Sequence, residues 1–326
     1  MDKKTRLNSL TIVLLTVVLA LIPLLARGDY ILSIFVNIFL FAYLGQCWNL
    51  LGGYAGYLSL GHTVFFGLGA YASSLLYLHF RLTPWLGMVA GAAVAGLVGL
   101  FIGFLSLRYQ LRGIFFAMIT LAFGVICKVI FTNAMVLGGA QGVLVPLEKA
   151  SFLAYQFDSK LAYYYIGLTM LVVVLVITLL LEKHRFGFNL LALKDNEEAA
   201  EALGIDTNHC KLWATCLSAF LTAFGGTYYA QYLSYISPDT VFSIDLSIEI
   251  VLVAIVGGMG TLFGPTLGAS LLTPLSEVTR SLLGDKVMGL HVVLYGIILI
   301  VFCLGLPGGI IPSVRQWLRS RSSKNA

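Results

Sequence analysis

A chain in which one apolar stretch of about 20 residues follows another, with few charges between them, has little choice of fold. Such stretches run roughly over residues 10–26, 31–51, 57–78, 85–106, 113–133, 161–181, 212–233, 246–259, 265–283 and 288–306. About 20 apolar residues cross a hydrocarbon core as a helix. In lipid, only helices and closed barrels satisfy their own backbone polar groups. A soluble reading fails on charge: 11% of the residues are charged, whereas a soluble domain carries roughly 25%. The expected fold is therefore all-α and polytopic, with about ten transmembrane helices (eight to ten), in one transmembrane domain over residues 1–326.

The distribution of charge orients this expectation. With the N-terminus placed in the cytoplasm, 13 of the 20 Lys and Arg residues fall in inner loops or the tail and 6 fall outside, with Lys128 inside a span. Basic residues concentrate in cytoplasmic loops, so both termini and residues 182–211 are expected inside, and residues 134–160 outside. The net charge of +5 is thus a topology signal, not a nucleic-acid surface. The basic start (Lys3, Lys4, Arg6) and the apolar run after it have the form of a signal peptide. No small-residue cleavage site precedes a soluble domain, so a retained first span is expected. The five cysteines have neither metal-ligand nor redox spacing, and no disulfide framework is expected.

Two segments share a glycine pattern. One runs Gly52-Gly53-Tyr-Ala-Gly56-Tyr-Leu-Ser59-Leu-Gly61-His62, and the other Gly257-Gly258-Met-Gly260-Thr261-Leu-Phe-Gly264-Pro265. Glycine-interrupted hydrophobic segments at matching places in two halves point to an internal pseudo-repeat, with broken helices and a site at the repeat interface. Small residues also serve plain helix packing in lipid, and the two readings are compatible. The candidate translocation path is Gly53, Ser59, Gly61, His62, Thr120, Gly258 and Gly264. By contrast, Gly91 and Gly99 lie in an Ala/Gly-rich span and read as packing.

The most polar stretch, residues 182–211, contains Lys194-Asp195-Asn196-Glu197-Glu198-Ala199-Ala200-Glu201-Ala202-Leu203-Gly204. Asp195 or Asn196 can cap a helix. Glu197 and Glu198 suit its positive end, and Gly204 can close it in the left-handed region. A helix of about two turns is unstable alone in water, so it is expected to dock. Its apolar face would consist of Ala199, Ala200, Leu203 and Gly204.

Other polar residues have simpler readings. His62 is an intramembrane candidate or bonds a carbonyl freed by the break. Lys128 snorkels outward, Glu249 lies near the outer face, Glu277 and Arg280 form a helical pair, and His291 is interfacial. Tyr163, Tyr164 and Tyr165 read as an interface belt. There is no Gly-x-x-x-x-Gly-Lys-Ser/Thr loop, His-Glu-x-x-His or Gly-x-Ser-x-Gly. No catalytic, metal or cofactor site is expected, and the chain reads as non-enzymatic.

Several motifs then combine. Glu198-Ala-Ala-x-x-x-Gly204 resembles the loop by which ABC importer permeases grip their ATPases. Leu58-Ser-Leu-Gly-His-Thr-Val-Phe-Phe-Gly-Leu-Gly-Ala-Tyr71, Phe115-Phe-Ala-Met-Ile-Thr-Leu-Ala-Phe-Gly124 and Val256-Gly-Gly-Met-Gly-Thr-Leu-Phe-Gly-Pro265 look like segments of the M-type subunit of branched-chain amino-acid (Liv-type) ABC permeases, in the same order. The chain departs from that pattern at Val125 and Leu137. The resemblance implies ATPase coupling through Asp195, Asn196, Glu197, Glu198, Ala199, Ala200, Leu203 and Gly204. It also implies a second, H-type permease subunit, two cytoplasmic ATPases and a periplasmic or lipid-anchored amino-acid-binding protein. The implied substrates are leucine, isoleucine and valine, carried across the inner membrane; relatives for urea, amides or sugars are the alternative, with a stand-alone secondary transporter as a rival.

Overall fold

In a computed structural model of the protein, the described residues are 3–25, 28–111, 113–146, 151–283, 296, 297, 300, 304–306, 308–314 and 316. Helix α1 is Lys3–Leu25, α2 Asp29–Asn49, α3 His62–Phe80, α4 Pro84–Arg108 and α5 Ile114–Asn133. Then come two short 3-10 turns, β1 (Val143–Leu144), α6 (Lys160–Lys183), α7 (Arg185–Asp195) and α8 (Glu197–Ala202). The remainder is α9 (Thr207–Leu233), β2 (Tyr235–Ile236), α10 (Pro238–Val241), α11 (Ile244–Gly257) and α12 (Gly264–Leu283). Strands β1 and β2 pair antiparallel, Val143 opposite Ile236.

The helices follow the apolar stretches closely, with two informative shifts. The stretch at 57–78 enters its helix only at His62, because residues 50–61 form a π-turn (Leu50–Tyr54) and an irregular segment. The helix expected near 212 starts at Thr207, where Asp206 accepts from the His209 amide at 2.9 Å.

Among the described residues, six helices are long and apolar enough to cross a membrane: Asp29–Tyr54, His62–Phe80, Pro84–Arg108, Ile114–Asn133, Lys160–Lys183 and Pro238–Gly257. The protein is thus an all-α polytopic membrane protein, and on length and apolarity the described helices support six spans where about ten were expected. The difference has a physical source. Helix α9 turns Ser218, Thr222, Thr227 and Gln231 inward, all buried, so its polarity is hidden by neighbours and absent from the lipid face. The apolar part of α1 is the shorter Asn8–Pro23. The expected span 288–306, with His291, lies largely outside the described residues.

Helices α3, α4 and α9 pack as one group, while α2 packs on α6, α11 and α12. Close approach explains the small residues. A Cβ at Gly69 would sit 2.1 Å from the Ala223 carbonyl, and one at Gly226 would sit 1.9 Å from that of Phe66. In lipid, such backbone proximity drives association where the hydrophobic effect cannot.

One reading is corrected. Tyr163 and Tyr164 are buried, not an interface belt. Tyr164 donates to the Leu19 carbonyl at 2.5 Å, Tyr165 to that of Ala20 at 3.2 Å and Tyr163 to that of Gln231 at 3.2 Å, so the three hydroxyls cross-link helices. The ammonium of Lys128, expected to snorkel outward, pairs with the exposed Asp239 at 2.8 Å across α5 and α10. Glu277 accepts from Asn37 at 3.0 Å; the side chain of Arg280 lies outside the described residues.

Candidate functional site

The two glycine-rich breaks, about 200 residues apart in the chain, meet in space. Four consecutive residues of α2 make the junction. Gln46 donates its amide to the Leu262 carbonyl. The Cys47 carbonyl accepts from Ser218 at 2.7 Å. Trp48 donates its indole N–H to the Ser59 carbonyl at 2.7 Å. Asn49 accepts from the Gly260 amide at 2.8 Å and donates to the Thr261 carbonyl at 3.1 Å. These side chains are buried, and they supply partners for backbone groups that a broken helix leaves open.

The glycines are required where the breaks touch. A Cβ at Gly53 would lie 2.6 Å from the Gly260 amide nitrogen, and Gly260 itself has φ +72°. Gly258, at φ +123°, ends α11, and Gly264 begins α12 with its Cβ direction facing the Gly258 carbonyl at 2.2 Å.

The remaining path candidates surround the first break. Thr120 on α5 accepts from the Leu60 amide at 3.0 Å, and Ser247 on α11 donates to the Leu60 carbonyl. A Cβ at Gly61 would press within 2.4 Å of the Thr120 carbonyl. His62 bonds no freed carbonyl through its Nε2, which instead lies 2.8 Å from the Ser218 hydroxyl. The chain His62, Ser218, Cys47 thus ties α3 to α9 and α2. Among the described residues, Gln46 Oε1 and His62 Nδ1 are buried and have no hydrogen-bond partner. Buried polar atoms are rarely left so, and these two keep capacity for water or a polar solute.

Residues 182–211 hold two helices where one was expected. The unforeseen α7 buries Leu190 and Leu193 and turns sharply out of α6, with a Cβ at Gly187 reaching 1.9 Å from the Leu181 carbonyl. The expected helix is α8. Asn196, not Asp195, caps it by accepting from the Ala199 amide at 3.0 Å, and Gly204 closes it at φ +83°. Its base is fixed by Glu197, which pairs with Lys211 at 2.5 Å and accepts from the Tyr57 hydroxyl at 2.9 Å. Glu201 accepts from Thr207 at 2.6 Å. The expected apolar face divides. Ala200 is buried within the chain, whereas Leu203 is 81% exposed and nothing lies within 4 Å of a Cβ at Gly204. Glu198 and Ala199 also face outward. A polar cavity of about 200 Å³ opens beside the base of α8, lined by Tyr57, Ser106, Gln110, Glu197, Glu201 and Lys211 among others.

Sequence reasoning missed Gln46, Trp48, Asn49, Lys211 and Ser218. Gln46 and Asn49 carried a signal: polar residues inside an apolar span mark functional positions by default.

With this geometry in view, the comparisons with known proteins are decisive. A family described as branched-chain amino acid transport system / permease component matches residues 30–303. The chain belongs to this family. As a member of the branched-chain amino acid permease family, it is a multi-pass inner-membrane protein and a transporter component, not a catalytic enzyme. It is similar to the high-affinity branched-chain amino acid transport system permease protein LivM of Salmonella typhimurium (strain LT2), at 26% identity over 95% of this chain and 76% of that protein. LivM of Escherichia coli (strain K12) is also 26% identical, over 98% of this chain and 79% of that protein. A shorter similarity, 30% over 117 residues, covers 35% of this chain and 32% of the autoinducer 2 import system permease protein LsrC of Yersinia enterocolitica. No solved structure matches the chain.

Proposed function

We propose that this permease is the membrane-spanning subunit of an ATP-driven ABC importer that carries leucine, isoleucine and valine inward. The observation that carries the reading is α8, a short helix capped at both ends and fixed at its base to the first break, while Leu203 and Gly204 at its tip remain uncovered. An exposed apolar tip on a marginal helix suits a groove in a partner. Movement of that partner would then be felt at the broken helices.

The remaining assignments follow this reading. The partners are an H-type permease subunit, two cytoplasmic ATPases that grip residues 195–204, and an external amino-acid-binding protein. Residues 182–211 and both termini are cytoplasmic, and residues 134–160 face outward. Adding α1, α9, α12 and residues 288–306 to the six apolar spans gives ten, in a pseudo-repeat of five per half within one transmembrane domain. The path runs between the breaks, past Gly53, Ser59, Gly61, His62, Thr120, Gly258 and Gly264. There Gln46 Oε1 and His62 Nδ1 offer two open acceptors to the ammonium of a zwitterion, because Ser218 gives its proton to the Cys47 carbonyl and so takes one from His62 Nε2.

A second reading, a related permease for another small polar solute, is favoured by the similarity to LsrC over 117 residues. One uptake assay separates the two. Deleting the gene is expected to abolish high-affinity leucine uptake energised by ATP. Unchanged leucine uptake with loss of urea, amide or sugar uptake transfers the assignment to the second reading. Leucine uptake that follows the proton gradient with ATP held constant identifies a stand-alone secondary transporter.

A further inference from the structure

We propose that Lys194 is the positioning residue that ties the cytoplasmic coupling loop to the junction of the two broken helices, so that displacement of α8 is delivered to both breaks together. The proposal rests on the ABC reading of the site and adds the element that links loop to path.

Lys194 stands in the last turn of α7, two residues before the Asn196 cap of α8. Its ammonium donates to the Gly53 carbonyl at 2.8 Å. A Cβ at Gly260 would lie 2.9 Å from the same nitrogen, and one at Gly56 would lie 3.1 Å from the Lys194 Cγ. The side chain thus runs along the first break and ends where the second meets it. A lysine in a last helical turn has a simpler explanation, the favourable field of the helix C-terminus. That field would be satisfied by an ammonium left in solvent. Lys194 is itself exposed, yet its ammonium is placed on the carbonyl of a residue 141 positions away.

The chemistry suits a transmitting contact. Gly53 lies in the π-turn, where the regular helical ladder is interrupted. A hydrogen bond from a charged donor is roughly twice as strong as a neutral one, so the Gly53 carbonyl is held to α7 by the stronger kind of bond. Glu197 makes a parallel tie from α8 through Tyr57, which lies in the same break. The Lys194 tie differs in that its ammonium bonds the first break at the carbonyl against which Gly260 of the second break packs.

The test uses the complete transporter, reconstituted with its ATPases and binding protein, and reads solute transported per ATP hydrolysed. Lys194→Met keeps the stem and removes the donor, and Lys194→Arg restores a donor. The expected result is at least about a tenfold fall in the ratio for Lys194→Met, as loss of a charge-assisted contact implies, with ATPase subunits still co-purifying, and recovery in Lys194→Arg. An unchanged ratio overturns the proposal, whether transport and hydrolysis are both normal or both fall in proportion, because a merely structural lysine lowers them together. If Lys194→Met does not assemble, Lys194→Gln, which keeps a neutral donor, is judged on the same ratio. The ratio compares variants of one complex and does not depend on which solute is carried. Its failure is therefore distinct from failure of the leucine assignment, which the uptake assay judges.

Discussion

Replacing Gly53 with alanine tests whether the contact between the breaks is the heart of the site. The added methyl would lie 1.8 Å from Asn49 Oδ1 and 2.6 Å from the Gly260 amide nitrogen. Ordinary contact is about 3.5 Å or more. The Asn49 side chain can rotate away, but it then gives up its bonds to the Gly260 amide and the Thr261 carbonyl. Those two bonds are worth about 1–3 kcal/mol together at the usual net value. The contact with the Gly260 backbone is not relieved by rotation, so the breaks must separate, and overpacking of this kind costs about 1–3 kcal/mol. The sum is about 2–6 kcal/mol. Thermal unfolding of the purified protein in detergent should show a midpoint several degrees lower, and initial uptake should fall at least about tenfold. The reference is Gly96→Ala, whose methyl would meet Cys216 Sγ at 3.6 Å, an ordinary contact, with an expected change within about 0.5 kcal/mol. Gly91 and Gly99, which the sequence suggests as tolerant positions, do not serve. Their methyls would lie 3.1 Å from Gly69 Cα and 2.7 Å from Ala219 Cβ. If Gly53→Ala melts and transports like Gly96→Ala, the close approach of the breaks is incidental and the reasoning fails.

Two further outcomes bear on the loop over residues 182–211. Leu203→Glu should leave the protein folded in the membrane, since that side chain is exposed. Gly204→Arg, which has open space but forces a side chain onto φ +83°, should add about 1 kcal/mol of strain at the end of α8. Both should weaken ATPase binding about thirtyfold, the effect of losing roughly 2 kcal/mol at an interface centre. Co-purification measures it, with Lys183→Ala as the neutral control, and normal ATPase retention in both variants would reduce α8 to a solvated connector. In a cysteine-free background, an impermeant thiol reagent should label a cysteine at position 152 in intact cells and one at position 198 only after lysis. Labelling of 198 from outside would invert the topology.

How far the sequence revealed this molecule depended on the range of the interaction. Helix α8 was legible almost residue by residue, because an Asn196 cap and a Gly204 terminator act over three or four positions. Helix α7 was not, since Phe186 to Leu193 mixes apolar and polar residues in the manner of a membrane entry, and its helicity depends on burying Leu190 and Leu193. The repeated glycine pattern located both breaks, and yet nothing local predicts that Asn49 clasps Gly260, 211 positions away. The aromatic trio at 163–165 misled for a related reason. Tyrosine composition is the same whether the hydroxyl meets headgroups or, as here, the carbonyls of Leu19, Ala20 and Gln231. Counting spans by apolarity faltered at α9, where polar side chains turn towards other helices.

Helix α9 has a further consequence. Its 27 residues make a rod of about 40 Å, longer than the roughly 30 Å hydrocarbon core. One end carries Lys211, clamped to Glu197. The other passes through Ser234 to the β2 strand, which is stapled to β1 at Val143 and Leu144. The rod contains no proline, and its glycines, Gly225 and Gly226, sit against Leu44 and the Phe66 carbonyl with no space to flex. A strut of this kind does not absorb a push at one end. On the ABC reading proposed above, a tilt imposed beside residues 195–204 would be carried along α9 to its β2 end rather than absorbed within the helix.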